Sequence, residues 1–301
     1  MYKRLEELVD AARARGPVKV AVVAGHDADV IGALKQAQEI GLAEATLIGE
    51  ADKIAALTKE VGLDIPDNRI VDEPDATDAA WRAVEMIRGG SAQLLMKGKI
   101  NTSELIRVVL NRETGLRTGR MLSQVIVFQV PGIDRLMMMS DAAINIAPTL
   151  EHKAEICRNA IEVAHALGID APNVAALCAF EFVNPDMPAT LDAAGLSLMN
   201  KRGQITGGYI EGPIALDVPL SRFAAERKGI ESPLVENTDI FILPDIEAAN
   251  ILYRAILYFA HGESCGVVLG AKVPLVLLSR AETPETKIRS IALGALTSAP
   301  S

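Results

Sequence analysis

Short apolar runs of strand length alternate with amphipathic stretches of helix length along this whole chain, and that alternation constrains the fold most. Residues 18–24, 45–49, 93–96, 124–130, 136–139, 173–180, 205–209, 239–243 and 273–278 read as strands. Between them, 3–15, 29–41, 51–61, 75–89, 151–167, 189–200 and a stretch from Asp245 to about His261 read as helices, and a last helix begins near Pro284. Runs such as 18–24 are apolar on both faces, as expected of parallel strands covered by helices on each side. No repeat, low-complexity tract or long linker interrupts the 301 residues, so two closely joined α/β domains are expected.

Composition enters as a set of exclusions. A net charge of −9 gives no general reason to seek nucleic acid or an anionic membrane, so an anionic substrate needs a local basic pocket. Cys157, Cys178 and Cys265 are far apart and form no CxxC pair, which suits a reducing compartment. The first residues, MYKRLEELVDAARARG, mix charge throughout and lack the apolar core of a signal peptide, and no apolar run is long enough to span a bilayer. A cytoplasmic protein is expected. The four histidines, His26, His152, His165 and His261, sit in separate segments without ligand-like pairing, and no metal is expected. GxGxxG opening a helix, GxxxxGK[ST], HExxH and GxSxG are all absent.

In open parallel sheets ligands bind beyond the carboxyl ends of strands, so the polar residues that follow each apolar run carry the chemistry. Four exits stand out. At Met96-Lys97-Gly98-Lys99-Ile100-Asn101-Thr102 a strand gives way to two lysines, a glycine and a helix start at Asn101 or Thr102. Lysine charge, a glycine that permits close backbone approach and the free N–H groups of a helix start make an anion cradle; a solvated turn with an ordinary cap is the equal alternative. Glu211-Gly212-Pro213-Ile214-Ala215-Leu216-Asp217 reads as a glycine–proline turn, with Asp217 more often a cap or turn former than a catalyst. Asp245, in Leu243-Pro244-Asp245, is placed to cap the following helix, on which Glu247 and Asn250 lie three apart and can share a face. The run Val273–Leu278 delivers Ser279 and Arg280 side by side. Arg280 can hold phosphate through paired hydrogen bonds and Ser279 can donate to a developing thiolate or oxyanion; a turn serine beside a surface cation is the alternative.

Taken in order, MKGKINTSELIR, EGPIALD, NTDIFILPDIEAANILYRA and GAKVPLVLLSR resemble the phosphate acetyl/butyryltransferase family over nearly the whole chain. The resemblance implies a pair of α/β domains like those of isocitrate and isopropylmalate dehydrogenases, with the active site in an interdomain cleft. It puts 1–119 and 268–301 in the first domain and 120–267 in the second, which would supply much of a homodimer contact. It implies contact of Ser279 with the CoA thiol and of Arg280 with phosphate, and a CoA or phosphate role for Arg107, five positions after Thr102. Lys97, Asn101, Thr102, Arg107, Asp217, Asp245 and Asn250 are thus the expected substrate-binding residues. Coenzyme A enters as a substrate, with no cofactor bound permanently.

Two departures resemble the butyryl branch. The acetyl branch has an aspartate seven residues after the serine, where this chain has Thr286 beside Glu285, and an arginine at about the place of Tyr258. The implied reaction is attack of inorganic phosphate on the thioester of an acyl-CoA, giving acyl phosphate and CoA. Two rivals share these features: a metal- and nicotinamide-dependent hydroxy-acid dehydrogenase of similar fold, and a non-catalytic CoA-binding relative. The dehydrogenase needs aspartates at four-residue spacing where this chain has Asp245 and Asn250.

Overall fold

The computed structural model describes residues 2–277 and 282–298. In chain order its elements are α1 (Leu5–Ala14), β1 (Val18–Val23), α2 (Ala28–Glu39), β2 (Ala43–Gly49), α3 (Ala51–Val61), β3 (Ile70–Asp72), α4 (Ala76–Arg88), β4 (Leu94–Lys97) and α5 (Thr102–Val109). There follow β5 (Ser123–Gln129), β6 (Met137–Ser140), α6 (Leu150–Ala166), β7 (Asn173–Leu177), α7 (Pro188–Lys201), β8 (Tyr209–Ile214), α8 (Asp217–Leu220), α9 (Arg222–Lys228), β9 (Ile240–Ile242) and α10 (Ile246–Tyr258). The chain closes with β10 (Glu263–Leu269), β11 (Leu275–Val276) and α11 (Pro284–Thr297). These elements fall into two compact units. A terminal unit is formed by Leu5–Arg120 with the chain from Cys265 onward, and a central unit by Met121–Ser264 with the residues before Leu5.

In the terminal unit the strand order is β3-β2-β1-β4-β11-β10, parallel from β3 through β11, with β10 antiparallel to β11. The pattern VKVAVV of β1 is buried at every position except Lys19, as befits a strand with a helical layer over each face. The helices carry apolar stripes: Leu5, Leu8 and Ala12 on α1, which packs against α11, and Val30, Ile31, Ala33, Leu34 and Ala37 on α2, which packs against α11 and β2, recur at the spacing of one helical face. Asp27 and Asp75 start α2 and α4 by accepting backbone N–H bonds within the first turn.

The central unit has the order β5-β6-β9-β7-β8, with β5 antiparallel to β6 and the rest parallel. Its core joins Ile126, Phe128, Met137, Met139, Phe241 and Tyr253. Here the structure departs from the sequence expectation. Strand β8 runs through Glu211-Gly212-Pro213 instead of turning there, and it begins at Tyr209, where the expected strand 205–209 ends. Among the described residues only β7 pairs with β8, so the missing N–H of Pro213 falls on an edge strand, and a register shift between Ala175 and Leu177 absorbs the irregularity. Gly212 is required there because a Cβ would stand 2.6 Å from the Ala176 carbonyl oxygen. Strands β3 and β10 had no counterpart in the sequence reading: β3 is three residues long and polar at one end, and β10 opens Glu-Ser.

Candidate active site

The parallel strands β1, β2 and β4 of the terminal unit end together, so the residues that follow them share one edge. After β4 the chain stays hydrogen-bonded to β1 for two more residues: Gly98 N donates to Val23 O (2.8 Å) and Lys99 N to Ala24 O (2.9 Å). A Cβ on Gly98 would lie 2.4 Å from the Ala24 oxygen and 2.7 Å from that of Val23. Glycine is needed here for the approach of two protein backbones, a different reason from the phosphate contact expected of it. The Lys97 ammonium donates to the carbonyls of Gly98 (3.2 Å) and Ile100 (3.0 Å), bracing the turn into α5.

Asn101 occupies the cap position of α5, and its side chain makes no capping bond. Leu105 N donates to Asn101 O, closing the first turn, while Asn101, Thr102 and Ser103 are exposed. The first-turn N–H groups are therefore presented without a side-chain acceptor from the cap residue, which is the arrangement that receives anions. Arg107 is exposed one turn and a half along the same helix. Ser279 and Arg280 follow β11, outside the described residues.

His26, passed over in the sequence because it pairs with no other histidine, belongs to this edge. It follows β1 by three residues and its Nε2 is 3.9 Å from Glu50, which follows β2 directly. Its buried Nδ1 has no hydrogen-bond partner among the described residues. Burial lowers its pKa, Lys99 and Lys53 push in the same direction, and Glu50 opposes them, so the imidazole is neutral at neutral pH. Its position directly after an apolar run was the available signal.

The corresponding edge of the central unit gathers the residues after β6, β7, β8 and β9. Asp245 has extended backbone (φ −157°) and accepts from Ala248 N at 2.8 Å, so it caps α10 as expected. Asn250, one turn on, donates Nδ2 to Ala142 O at 3.4 Å. Asp217 opens α8 and pairs at 2.7 Å with Lys228, which also holds Glu181 at 2.7 Å. Its hydrogen bond to Lys228 keeps its pKa below the ordinary carboxylate value. The structure thus brings Asp245, Asn250 and Asp217 to one edge of the central unit, and Lys97, Asn101, Thr102 and Arg107 to one end of the terminal unit. Asp141, which no pattern in the sequence singled out, lies buried at the exit of β6. The net charge of −9 resides wholly in residues 121–264, the remainder being balanced, so the electrostatic cost of receiving an anion is lower on the terminal unit.

An Asp245→Ala variant is expected to lose about 1 kcal/mol of stability through loss of the cap. Equilibrium denaturation of the variant beside the wild type measures it; an unshifted midpoint would mean that the cap contributes nothing.

The chain is similar to known proteins over nearly its whole length. The family described as Phosphate acetyl/butaryl transferase matches residues 68–295. The chain is 43% identical over 296 residues to a phosphate butyryltransferase of Clostridium acetobutylicum, covering 98% of each chain. It is 44% identical over 292 residues to a phosphate acetyltransferase of Thermotoga maritima, covering 97% of this chain and 99% of the other. Among solved structures, a branched-chain phosphotransacylase from Enterococcus faecalis V583 superposes with a TM-score of 0.80 at 29% identity, over 93% of this chain and 98% of the other. A 4-hydroxythreonine-4-phosphate dehydrogenase from Burkholderia phymatum, at 14% identity and a TM-score of 0.55 over 94% and 98% of the two chains, shares the fold alone. Four motifs in series and similarity from end to end lead to one conclusion: this chain belongs to the phosphate acetyl/butaryl transferase family.

Proposed function

We propose that the protein transfers a short acyl group between coenzyme A and inorganic phosphate, with butyryl preferred over acetyl. The observation that carries acyl transfer is the end-to-end similarity, above 40% identity, to both a phosphate butyryltransferase and a phosphate acetyltransferase, while the butyryl preference rests on Thr286 and Tyr258, the departures that resemble the butyryl branch. In the forward direction an oxygen of hydrogen phosphate attacks the thioester carbonyl carbon, the carbon–sulfur bond breaks, and the thiolate leaves with the electron pair and takes up the proton that the phosphate loses. Phosphate is already largely dianionic near neutral pH, so the protein's task is to orient it and to stabilise charge, with no strong base required. That fits a chain with Thr286 where an acetyl-branch base would stand. The open helix start at Asn101 and Thr102 and the guanidiniums of Arg107 and Arg280 supply anion-binding groups. Ser279 would donate to the leaving sulfur, and Asp245, Asn250 and Asp217 would line the substrate edge of the central unit.

Coenzyme A is on this reading a substrate and not a resident cofactor, and the protein works in the cytoplasm as a homodimer. For the dimer, the support is the distribution of exposed large apolar residues: among those described, all but Leu110 lie in the central unit, Phe182, Leu198 and Phe223 among them. No described helix is long and apolar enough to cross a membrane.

The test is release of CoA thiol from acetyl-, propionyl-, butyryl- and hexanoyl-CoA, with and without phosphate. Burial pushes the thiols of Cys157 and Cys265 up to about 12 and that of Cys178 to about 11, so a thiol reagent at neutral pH reads CoA and not the protein. The expected result is phosphate-dependent release that peaks at butyryl-CoA. No release with any thioester would overturn the activity, and a peak at acetyl-CoA would overturn the preference.

A further inference from the structure

Asp141, Lys153 and Asp239 are the charged residues buried in the central unit among those described. Lys153 is paired with Asp192 at 2.7 Å, and Asp239 accepts from Asn173 N and faces Arg135. The partners of Asp141 are instead N–H groups. Its Oδ1 accepts from the backbone of Gln124 (3.2 Å), Ala143 (3.1 Å) and Ile144 (3.2 Å). Its Oδ2 accepts from the backbone of Asn145 (3.1 Å) and from Asn145 Nδ2 (2.5 Å), which also donates to Leu122 O at 2.8 Å. Three successive N–H groups, 143 to 145, therefore close around one carboxylate, the way a backbone nest closes around a bound anion. The Asp141 carboxyl group and these donors together define the shape of the loop.

That shape is passed on. Leu243 N donates to Ser140 O (3.0 Å), Ile246 N to Ile146 O (3.1 Å) and Asn250 Nδ2 to Ala142 O (3.4 Å). The end of β6 and loop 141–146 are thereby tied to the segment bearing the expected substrate residues, Ser140 before Asp245 and the loop itself after it. At its far end Ile146 has its carbonyl hydrogen-bonded to Ile246 N while the residue is 69% exposed. A branched apolar group exposed next to the expected substrate-binding residues suits contact with an alkyl chain that arrives with the substrate, where a methylene is worth about ten-fold or more in discrimination.

We propose that Asp141 is a positioning residue for acyl transfer, and that the loop it holds sets Ile146 against the acyl chain of the thioester. This rests on the acyl-transfer reading above. The full-length wild type, Ile146→Ala, Asp141→Asn and Asn145→Ala are compared for kcat and KM with acetyl-CoA and butyryl-CoA, for thermal unfolding and for oligomeric state. Ile146→Ala is expected to keep the wild-type melting curve and assembly while the butyryl-to-acetyl ratio of kcat/KM falls at least five-fold. Asp141→Asn, which turns a donor toward Asn145, is expected to lower the same ratio and to raise KM for butyryl-CoA about ten-fold. Loss of folded protein alone scales both thioesters equally and leaves the ratio and KM unmoved. Asn145→Ala keeps every backbone donor to the carboxylate, so it reads the same ratio should Asp141→Asn fail to fold. An unchanged ratio in Ile146→Ala, or in the loop variants that fold, overturns the proposal. So does dissociation of the Ile146→Ala assembly, which would assign that side chain to a subunit contact. A wild type without phosphate-dependent thiol release overturns the parent reading; an active wild type whose variants keep its ratio overturns this one alone.

Discussion

Replacing Arg280 by alanine is expected to lower kcat/KM for phosphate by about 10²–10³-fold while the protein remains folded. The guanidinium is the group best suited to a tetrahedral oxyanion, since two parallel N–H bonds fix its orientation as well as its charge. Attack on a thioester adds negative charge around the reacting phosphate and carbonyl, and a charged donor that holds the attacking phosphate would lower the barrier more than it tightens the ground state. The loss should therefore appear in kcat as well as in KM for phosphate. Arg280→Lys keeps the charge and loses the fork, so its activity should fall between the two. Steady-state assays at fixed saturating acyl-CoA and varied phosphate measure the effect. Unchanged turnover and unchanged phosphate affinity in Arg280→Ala would remove this residue from the site.

Much of this architecture was legible because the strands are apolar and the helices are punctuated. The run 18–24 could hardly be anything but a buried strand, and Asp245, directly after an apolar run and before a helical pattern, was recognisable as a cap. What escaped depends on partners distant in sequence. Gly212-Pro213 reads locally as a turn, and only the edge position of β8 lets the pair continue as a strand. Strand β3 is too short and polar to be heard above its surroundings. Asp141 offers the most instructive case. Ser-Asp-Ala-Ala at the end of a strand signals only an exit, because four of the five N–H donors to the carboxylate are backbone groups whose direction no residue type encodes, and the fifth is the side-chain amide of Asn145. The role of Gly98 was legible as a need for close approach, but the chain it approaches was not.

Gly98 is where that need becomes a large expected effect on stability. Gly98→Ala is expected to cost about 3 kcal/mol or more, at the upper end of overpacking substitutions. The added methyl carbon would meet the Ala24 oxygen at 2.4 Å, the Val23 oxygen at 2.7 Å and the Ala24 carbonyl carbon at 3.0 Å. All three are backbone atoms of the chain leaving β1, so no side-chain rotation relieves the contact. Relief requires separating β4 from β1 at their carboxyl ends, which stretches the bonds from Gly98 N to Val23 O and from Lys99 N to Ala24 O. It also displaces the turn braced by Lys97, and with it the start of α5 at Asn101 and Thr102. Activity should consequently fall together with the denaturation midpoint. Gly32→Ala is the control: Gly32 lies inside α2, nothing stands within 4 Å of its added Cβ, and alanine there should stabilise the helix by about 0.5–1 kcal/mol. Opposite shifts of the midpoint for the same chemical change would separate steric exclusion at the strand exit from the general cost of glycine. A Gly98→Ala protein as stable as the wild type would show that β1 and β4 can part at this edge without loss.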